Sequence, residues 1–316
     1  MNASPSTSCT LAIPDFLWTY QEVGRPRLPN LEKMLARAAR LEARHLSDCL
    51  AHLFGLAATD LTVAPFTRLA DGGAADRWWW LRADPVHLAP DRDQLVLMPQ
   101  SVLEVAHAET QALAEAFNKV LGADGWHLEF PTALRGYLRC PGGPLDVVTH
   151  DPALFTGGAV LAAMPGGADG SRLRALMSEV EMLFHTHEVN RLREEAGRPP
   201  INSLWFWGGG RLPAKTGVSP VRIFSALPLV QGLAAWAGKE IRDPNRNYNW
   251  EPGDLFVLER NDPRSLDQDW FGPLLDDLQG GRIPLLRMHL GGLGDFELDI
   301  AASQRFWRRG RPLGTP

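Results

Sequence analysis

Short apolar runs alternate with amphipathic stretches along most of the chain. The run Cys9–Ile13, which ends in Pro14 and Asp15, predicts a buried strand followed by a loop. Apolar positions at helical spacing predict helices from Pro29, over 102–121, over 171–196 and over 228–238. Further strand-like runs lie at 201–207, 221–227, 255–258, 283–290 and 296–300. Strands that alternate with helices towards both chain ends predict an α/β fold.

The predicted helix over 171–196 carries the most information about function. Its apolar stripe continues at i, i+3 and i+4 spacing and then leads to the polar residues His187, Asn190, Arg191 and Glu194. A stripe that turns polar in its last turns brings polar groups to the edge of a core, where pockets form. A purely structural role, in which these residues anchor the next loop, explains the pattern equally well.

Three consecutive glycines, Gly208–Gly210, directly follow the apolar run at 201–207. Glycine at a strand end allows close approach of a ligand, and successive amides can form an anion-binding nest. The nearby Arg211 and Lys215 favour a phosphate or carboxylate ligand. A tight structural turn would use the same three glycines.

Composition and charge narrow the possible classes of protein. The length of 316 residues suggests about two domains. The formal net charge of −5 argues against a nucleic-acid binder. Neither a signal peptide nor an apolar run long enough to span a membrane is recognisable, and the three cysteines form neither a zinc pattern nor a disulfide framework. These features predict a cytoplasmic protein with no membrane partner.

Tryptophan is unusually frequent, with 11 residues against 3 tyrosines. The run Trp78–Trp80 is a candidate surface for a protein partner, because aromatic side chains anchor interfaces. A buried hydrophobic wall would account for the same residues.

Several motifs in a preserved order resemble those of a known family. The central motif is His187-Glu188-Val189-Asn190-Arg191-Leu192-Arg193, followed by Gly197, Pro200, Asn202 and Gly208–Gly210. Other matching segments are Pro29–Leu31, Ser47-Asp48 with Ala51–Leu53, and Ala226–Gly232. The chain thereby resembles archaeal-type 2,3-bisphosphoglycerate-independent phosphoglycerate mutases of the alkaline phosphatase superfamily. Its tryptophan-rich motif and Trp-Arg-Arg tail also resemble a bacterial branch of RpfE-type regulatory proteins.

The resemblance implies a discontinuous core with an inserted domain. The core, an alkaline-phosphatase-like sheet with helices on both faces, would comprise residues 1–81 and 223–316. Residues 82–222 would form an inserted α+β domain that binds the substrate.

The resemblance also implies a catalytic centre in the core. In such mutases two divalent metals, Mn²⁺ or Zn²⁺, activate a serine that carries the phosphoryl group. Ser47 matches the nucleophile, and Asp15, Asp262 and His289 match metal ligands. However, Asp15 is followed by Phe16 where the family has glycine, and Met288 replaces an aspartate. Fewer candidate ligands remain than two metals need, which predicts a degenerate centre.

In the insert, the resemblance implies a clamp for the substrate carboxylate and phosphate. The matching or nearby residues are Arg135, Asp151, His187, Asn190, Arg193, Asn202 and Arg211. Arginine suits this task because its planar fork binds oxyanions bidentately. Alternatively, Arg135 and Arg193 pair with carboxylates such as Asp151 or Glu194.

Together these features predict a mutase-like protein that binds a small phosphorylated or carboxylated metabolite in a regulatory or non-catalytic role. The alternative is an active, metal-dependent phosphoglycerate mutase or phosphatase-type enzyme with Ser47 as nucleophile.

Overall fold

The computed structural model describes residues 8–91, 94–158, 160–244, 249–259 and 261–313. The chain forms two compact units. The first comprises Met1–Leu61 and Ala214–Pro316, and the second comprises Thr62–Pro213. Among the described helices, none combines the length and hydropathy that a membrane crossing requires.

The strands and helices are numbered in chain order. The strands are β1 (Cys9–Ile13), β2 (Ala39–Leu41), β3 (Trp80–Val86), β4 (Leu88–Asp91), β5 (Gln94–Leu97), β6 (His127–Glu129), β7 (Tyr137–Arg139), β8 (Ser203–Gly210), β9 (Ile223–Ser225), β10 (Ile241–Arg242), β11 (Leu255–Val257), β12 (Leu285–Leu290) and β13 (Gly294–Asp299). The α-helices are α1 (Phe16–Glu22), α2 (Pro29–Arg37), α3 (Leu46–Leu53), α4 (Val63–Ala70), α5 (His107–Leu121), α6 (Gly170–His185), α7 (Glu188–Glu195), α8 (Pro228–Ala237), α9 (Pro263–Leu266), α10 (Gly272–Gln279) and α11 (Ile300–Ser303).

The first unit is built on a mostly parallel sheet with strands from both parts of the chain. Its described strands have the order β10-β9-β11-β1-β12-β13-β2. The first five are parallel to one another, whereas β13 pairs antiparallel with both β12 and β2. The central strand β1 is buried along its whole length, as its continuous apolar run predicts. The predicted α/β class is confirmed.

The two faces of strand β12 point to different surroundings. Leu286, Met288 and Leu290 join a hydrophobic core that also contains residues of α1, α2 and α10. Because side chains alternate along a strand, Arg287 and His289 point to the opposite face. There they line a cleft together with residues of α3. This second face carries the candidate site.

The second unit contains an antiparallel sheet of order β6-β7-β3-β8 and a separate β4–β5 hairpin. Apolar side chains of α5 and α6, among them Phe117, Leu173 and Phe184, form one buried cluster with the sheet. This cluster includes Trp126, and Trp205 is buried in a neighbouring cluster. Much of the tryptophan content therefore contributes to the core.

The predicted domain boundaries differ from the limits of the compact units. The prediction ends the first core segment at residue 81 and the insert at residue 222, whereas the second unit begins at Thr62 and ends at Pro213. Residue 81 lies inside β3. The segment at the start of the second unit packs closely on β8, since a Cβ at Gly208 would contact Val63 and one at Gly210 would overlap Thr62.

The predicted single helix over 171–196 is wrong, because two helices occupy this stretch. α6 ends at His185, and His187 is extended, with φ −78° and ψ 141°. Its ring nitrogen Nδ1 accepts a hydrogen bond from the backbone N–H of Val189 at 3.2 Å, so His187 is the N-cap of α7. The stripe therefore does not run continuously from the core to the polar residues.

The glycines Gly208–Gly210 belong to strand β8 rather than to a loop beyond it. A Cβ at Gly209 would lie 2.5 Å from the Trp79 ring, and Gly208 has a φ of +63°. Glycine is required here because neighbouring side chains approach the backbone too closely for a side chain. Close packing around strand β8 therefore explains these glycines, and the tight turn considered from the sequence is replaced by a strand at these positions.

The run Trp78–Trp80 is divided between surface and interior. Trp78 is exposed and lies beneath the guanidinium of Arg139, 4.8 Å from the ring centre, whereas Trp80 is buried. A protein partner at this surface stays a prediction.

Candidate functional site

A cleft of about 370 Å³ lies on the face of β12 and β13 that α3 covers. Its lining combines sulfur, imidazole, guanidinium and carboxylate groups with apolar side chains. The lining residues are Thr10, Leu41, Glu42, Arg44, Cys49, His52, Leu53, Arg287, Met288, His289, Asp295, Phe296 and Glu297. Its volume is suited to a small molecule.

His289 and Asp295 form a buried pair at the base of the cleft. They are direct cross-strand partners in the β12–β13 register, and Nδ1 of His289 lies 2.6 Å from a carboxylate oxygen of Asp295. The other carboxylate oxygen accepts a hydrogen bond from the backbone N–H of Arg44 at 2.8 Å. This arrangement orients the imidazole and favours the tautomer with its proton on Nδ1.

Cys49 approaches the same pair from helix α3. Its Sγ lies 3.7 Å from Nδ1 of His289. Burial, reinforced by the negative charge of Asp295, raises the pKa of the Cys49 thiol to about 11. The protein alone therefore keeps this thiol protonated at neutral pH, and it is not an activated nucleophile.

The cysteine, histidine and aspartate form a potential metal-ligand group. One ligand atom from each of Cys49, His289 and Asp295 lies within 4.8 Å of the others. Within the described ranges, this is the one group of three or more such side chains that meets this distance criterion.

The rim of the cleft carries charges of both signs. Arg287 pairs with Glu297 across the β12–β13 ladder, with Nε 3.0 Å from the carboxylate. Arg44, His52 and Glu42 also line the cleft. An anionic ligand would thus meet two arginines, one of them already paired.

The other predicted catalytic residues are not among the described residues that line the cleft. Asp15 is exposed just after β1, and Ser47 is exposed in the first turn of α3. Asp262 is the N-cap of α9 and accepts a hydrogen bond from the backbone N–H of Ser265 at 3.0 Å. Of these predicted residues, the described lining of the cleft includes His289 but not Ser47, Asp15 or Asp262.

In the second unit, Arg135 is held by a carboxylate. Nε of Arg135 donates to Asp71 at 2.8 Å, and the Tyr137 hydroxyl donates to the same carboxylate at 2.6 Å. The sequence analysis considered Asp151 and Glu194 as carboxylate partners, and the observed partner of Arg135 is Asp71 instead. Pairing of this arginine with a carboxylate of the protein is nevertheless what the alternative to ligand binding predicts.

The hydrogen bonds of Asp71 with Arg135 and Tyr137 should contribute less to the stability of the fold in acid than at neutral pH. Burial raises the pKa of Asp71, but hydrogen bonds from Arg135 and Tyr137 outweigh it and bring the pKa below its ordinary value of 3.8. A carboxyl group whose pKa is lowered on folding stabilises the fold above its unfolded pKa and loses that contribution as the pH falls through the folded pKa. We therefore expect Asp71→Asn to lower the thermal midpoint at neutral pH, with the difference from wild type shrinking below pH 3.8.

Circular dichroism melting curves over a pH series would measure this effect. Glu188→Gln is the control, since Glu188 pairs with Arg191 on the surface, and we expect little change in the midpoint at any pH. A penalty for Asp71→Asn that stays constant into acid would contradict the assignment.

Arg193 and Asn190 are buried and fully engaged with the protein. Arg193 donates to the carbonyl oxygen of Pro199 and to Glu109, both at 2.8 Å, and to the carbonyl oxygen of Leu103. Asn190 donates to the carbonyl oxygens of Phe184 and Ile201 and accepts from the Ile201 N–H, each at 2.8 Å. These contacts connect α7 to the segments around it.

The remaining predicted binding residues also occupy local structural positions. Asn202 bonds both backbone groups of Leu88, at 2.8 and 2.9 Å. Asp151 accepts a hydrogen bond from the Ala153 N–H at 2.9 Å and so caps a short 3₁₀ turn. Arg211 is exposed directly after β8. Their roles in ligand binding stay predictions.

In amino-acid sequence, the chain is similar to phosphoglycerate mutases of bacteria and archaea. No protein-family model matches the chain. The probable 2,3-bisphosphoglycerate-independent phosphoglycerate mutase of Geobacter sulfurreducens is 30% identical over 166 residues, which are 51% of this chain and 41% of that protein. A second such mutase, from Methanothermobacter thermautotrophicus, is 30% identical over 141 residues, which cover 42% of this chain and 35% of the relative. The homologues of this chain are phosphoglycerate mutases. The chain thus aligns with less than half of each of these mutases.

Two solved structures are also similar over most of the chain. The cofactor-independent phosphoglycerate mutase from Thermoplasma acidophilum has a TM-score of 0.44 at 17% identity and covers 92% of this chain and 89% of its own. The PH0037 protein from Pyrococcus horikoshii has a TM-score of 0.48 at 14% identity and covers 89% of this chain and 81% of its own.

The two residues that meet His289, Cys49 and Asp295, escaped the sequence analysis, which followed the mutase motifs, and so did the rim arginines Arg44 and Arg287. A signal for Asp295 was present, because the glycines Gly291 and Gly292 between two strand-like runs indicate a hairpin that would pair the flanking residues. For Cys49 no such signal exists, since its partner His289 lies 240 residues away.

Proposed function

We propose that the protein is a phosphoglycerate-mutase-like binding protein, which holds a small phosphorylated or carboxylated metabolite and does not transfer phosphoryl groups. The observation that carries this proposal is the composition of the cleft around His289, whose described lining does not include Ser47. The active-mutase alternative needs that serine beside the metal-binding side chains.

Two-metal phosphoryl transfer sets a strict geometric requirement. Both metals must contact the nucleophile and the transferring group, so their ligands have to converge on one point. The exposure of Asp15 and the capping role of Asp262 argue against such convergence with His289. The thiol and imidazole in the cleft are also softer donors than the oxygen-rich set that Mn²⁺ prefers.

The chemistry of the rim supports an anionic ligand. Arg44 and Arg287 line the cleft, and an arginine binds a carboxylate or phosphate through two parallel hydrogen bonds. Arg44 is the better candidate, because Arg287 already pairs with Glu297. A volume of about 370 Å³ is at the lower end of ligand pockets and suits a metabolite of a few carbon atoms.

Binding and turnover of 3-phosphoglycerate test this proposal together. We expect calorimetry to detect binding of 3-phosphoglycerate, and we expect no conversion to 2-phosphoglycerate with Mn²⁺ or Zn²⁺ present. Arg44→Ala should weaken binding at least about tenfold, or 1.4 kcal/mol, because it removes the rim arginine whose side chain has no carboxylate partner among the described residues. Ser47→Ala should leave binding unchanged.

Two results would overturn the proposal in different ways. Turnover that Ser47→Ala abolishes would establish the active-mutase alternative. Failure of 3-phosphoglycerate, 2-phosphoglycerate and inorganic phosphate to bind would refute the proposed ligand class. A regulatory role of the RpfE type and a cytoplasmic location stay predictions.

A further inference from the structure

The thiol, imidazole and carboxylate in the cleft come from three different elements, α3, β12 and β13. We propose that Cys49, His289 and Asp295 bind a single zinc ion. This site goes beyond the binding function proposed above and does not depend on it. It also differs from the two-metal centre that the mutase resemblance implies, because two of its three ligands lie outside the predicted set.

The ligand separations are close to those of a tetrahedral zinc site. Zinc–sulfur and zinc–nitrogen bonds of about 2.3 and 2.0 Å place these two ligand atoms roughly 3.5 Å apart. The observed distance from Cys49 Sγ to His289 Nδ1 is 3.7 Å. The 2.6 Å separation of His289 and Asp295 is a hydrogen bond, which would widen by roughly 0.7 Å when zinc replaces its proton.

The backbone holds two of the three ligands, His289 and Asp295, near their positions before any metal binds. His289 and Asp295 are direct partners across an antiparallel ladder, so their Cα separation is set by the sheet. The Arg44 N–H fixes the carboxylate oxygen that does not face His289. A hydrogen bond of this kind to a ligating carboxylate orients the ligand and strengthens the metal site.

The donor set selects zinc over harder cations. A cysteine sulfur and an imidazole nitrogen suit zinc, whereas Mg²⁺, Ca²⁺ and Mn²⁺ prefer carboxylate, carbonyl and water oxygens. Three protein ligands leave the fourth tetrahedral position open, as in zinc sites that bind a water or a substrate group.

Metal analysis of the full chain tests the site directly. The protein is stripped with a chelator, titrated with Zn²⁺ against a chromogenic competitor, and analysed for bound metal. We expect one zinc per chain, and we expect Co²⁺ to give a thiolate-to-cobalt charge-transfer band in the near ultraviolet. Cys49→Ser should abolish this band and weaken zinc binding at least about a hundredfold, while Asp295→Asn weakens binding and leaves the band.

Cys140→Ala is the matched control. Cys140 is a buried thiol of the second unit, and its loss should change neither the stoichiometry nor the band. Absence of bound zinc would overturn the proposal, as would a Co²⁺ complex of the wild type without a thiolate band. The wild-type spectrum decides the matter even if Cys49→Ser does not fold. A stoichiometry of two metals per chain that is unchanged in Cys49→Ser would also overturn the proposal, and it would indicate an oxygen-rich centre instead.

Discussion

Gly291→Ala is expected to prevent the first unit from folding stably. Gly291 directly follows β12, and a Cβ at this position would overlap the carbonyl oxygen of Pro14. The two segments are also hydrogen-bonded, because the Gly291 N–H donates to Ile13 at 2.9 Å and its carbonyl accepts from Leu17 at 3.0 Å. A backbone oxygen cannot rotate away as a side chain can, so these bonds must break to admit the methyl group.

We expect a loss of about 3 kcal/mol or more in the free energy of unfolding, at the upper end for overpacking. Soluble yield and the urea unfolding midpoint would measure the effect. Gly122→Ala is the control in the second unit. Gly122 has a helical φ of −65°, and no described atom outside its own helix and chain neighbours lies within 4 Å of the position that an added methyl group would take. That substitution should leave the midpoint unchanged or raise it slightly, since alanine restricts the unfolded chain. A Gly291→Ala protein as stable as wild type would refute the close approach.

Arg193→Met is expected to destabilise the second unit by about 3–5 kcal/mol, the usual cost of breaking a buried ion pair from one side. The Arg193 side chain is 0% exposed and Glu109, its partner, is 15% exposed. Methionine fills part of the space but donates no hydrogen bond. The Glu109 carboxylate would keep its hydrogen bond from the Ala106 N–H and its partly exposed contact with Arg198, but it would lose its buried charge partner. The carbonyl groups of Leu103 and Pro199 would lose their donor.

The exposed Arg191 provides the matched control for Arg193. It lies on the same helix and pairs with Glu188 and Glu195 on the surface, so Arg191→Ala should cost less than about 1 kcal/mol. Urea unfolding followed by tryptophan fluorescence compares the two variants. Equal effects would show that Arg193 does not stabilise the fold, and its predicted contact with a ligand would then be the better explanation of the residue.

Local sequence patterns predicted an element correctly where residues within that element determine its bounds. The apolar run Cys9–Ile13 predicts β1 with its observed bounds, because a strand buried on both faces needs mainly apolar residues. Pro228 in the first turn and Gly238 after the last predict the limits of α8 for similar reasons. Proline needs no intrahelical N–H at that point, and Gly238 adopts a left-handed φ of +71°.

The prediction of one helix over 171–196 shows where local patterns fail. Residues on both sides of His187 have helical spacing, and the periodicity contains no break. The chain turns there because the Asn190 side chain bonds both Phe184 and Ile201, contacts that exist only after the second unit has packed. The two interpretations of Gly208–Gly210 stayed open for the same reason, since the side chains that approach these glycines belong to other segments.

By itself, the sequence determined the α/β class, the buried central strand and the similarity to phosphoglycerate mutases, because these depend on residue type and on spacing within short segments. Only the tertiary structure decided which polar groups meet. It joined Cys49 and Asp295 to His289 in one cleft and gave Arg135 and Arg193 partners within the protein. The physical reason is that a hydrogen bond or ligand contact depends on distances of a few ångströms between residues far apart in the chain, and those distances are set by packing.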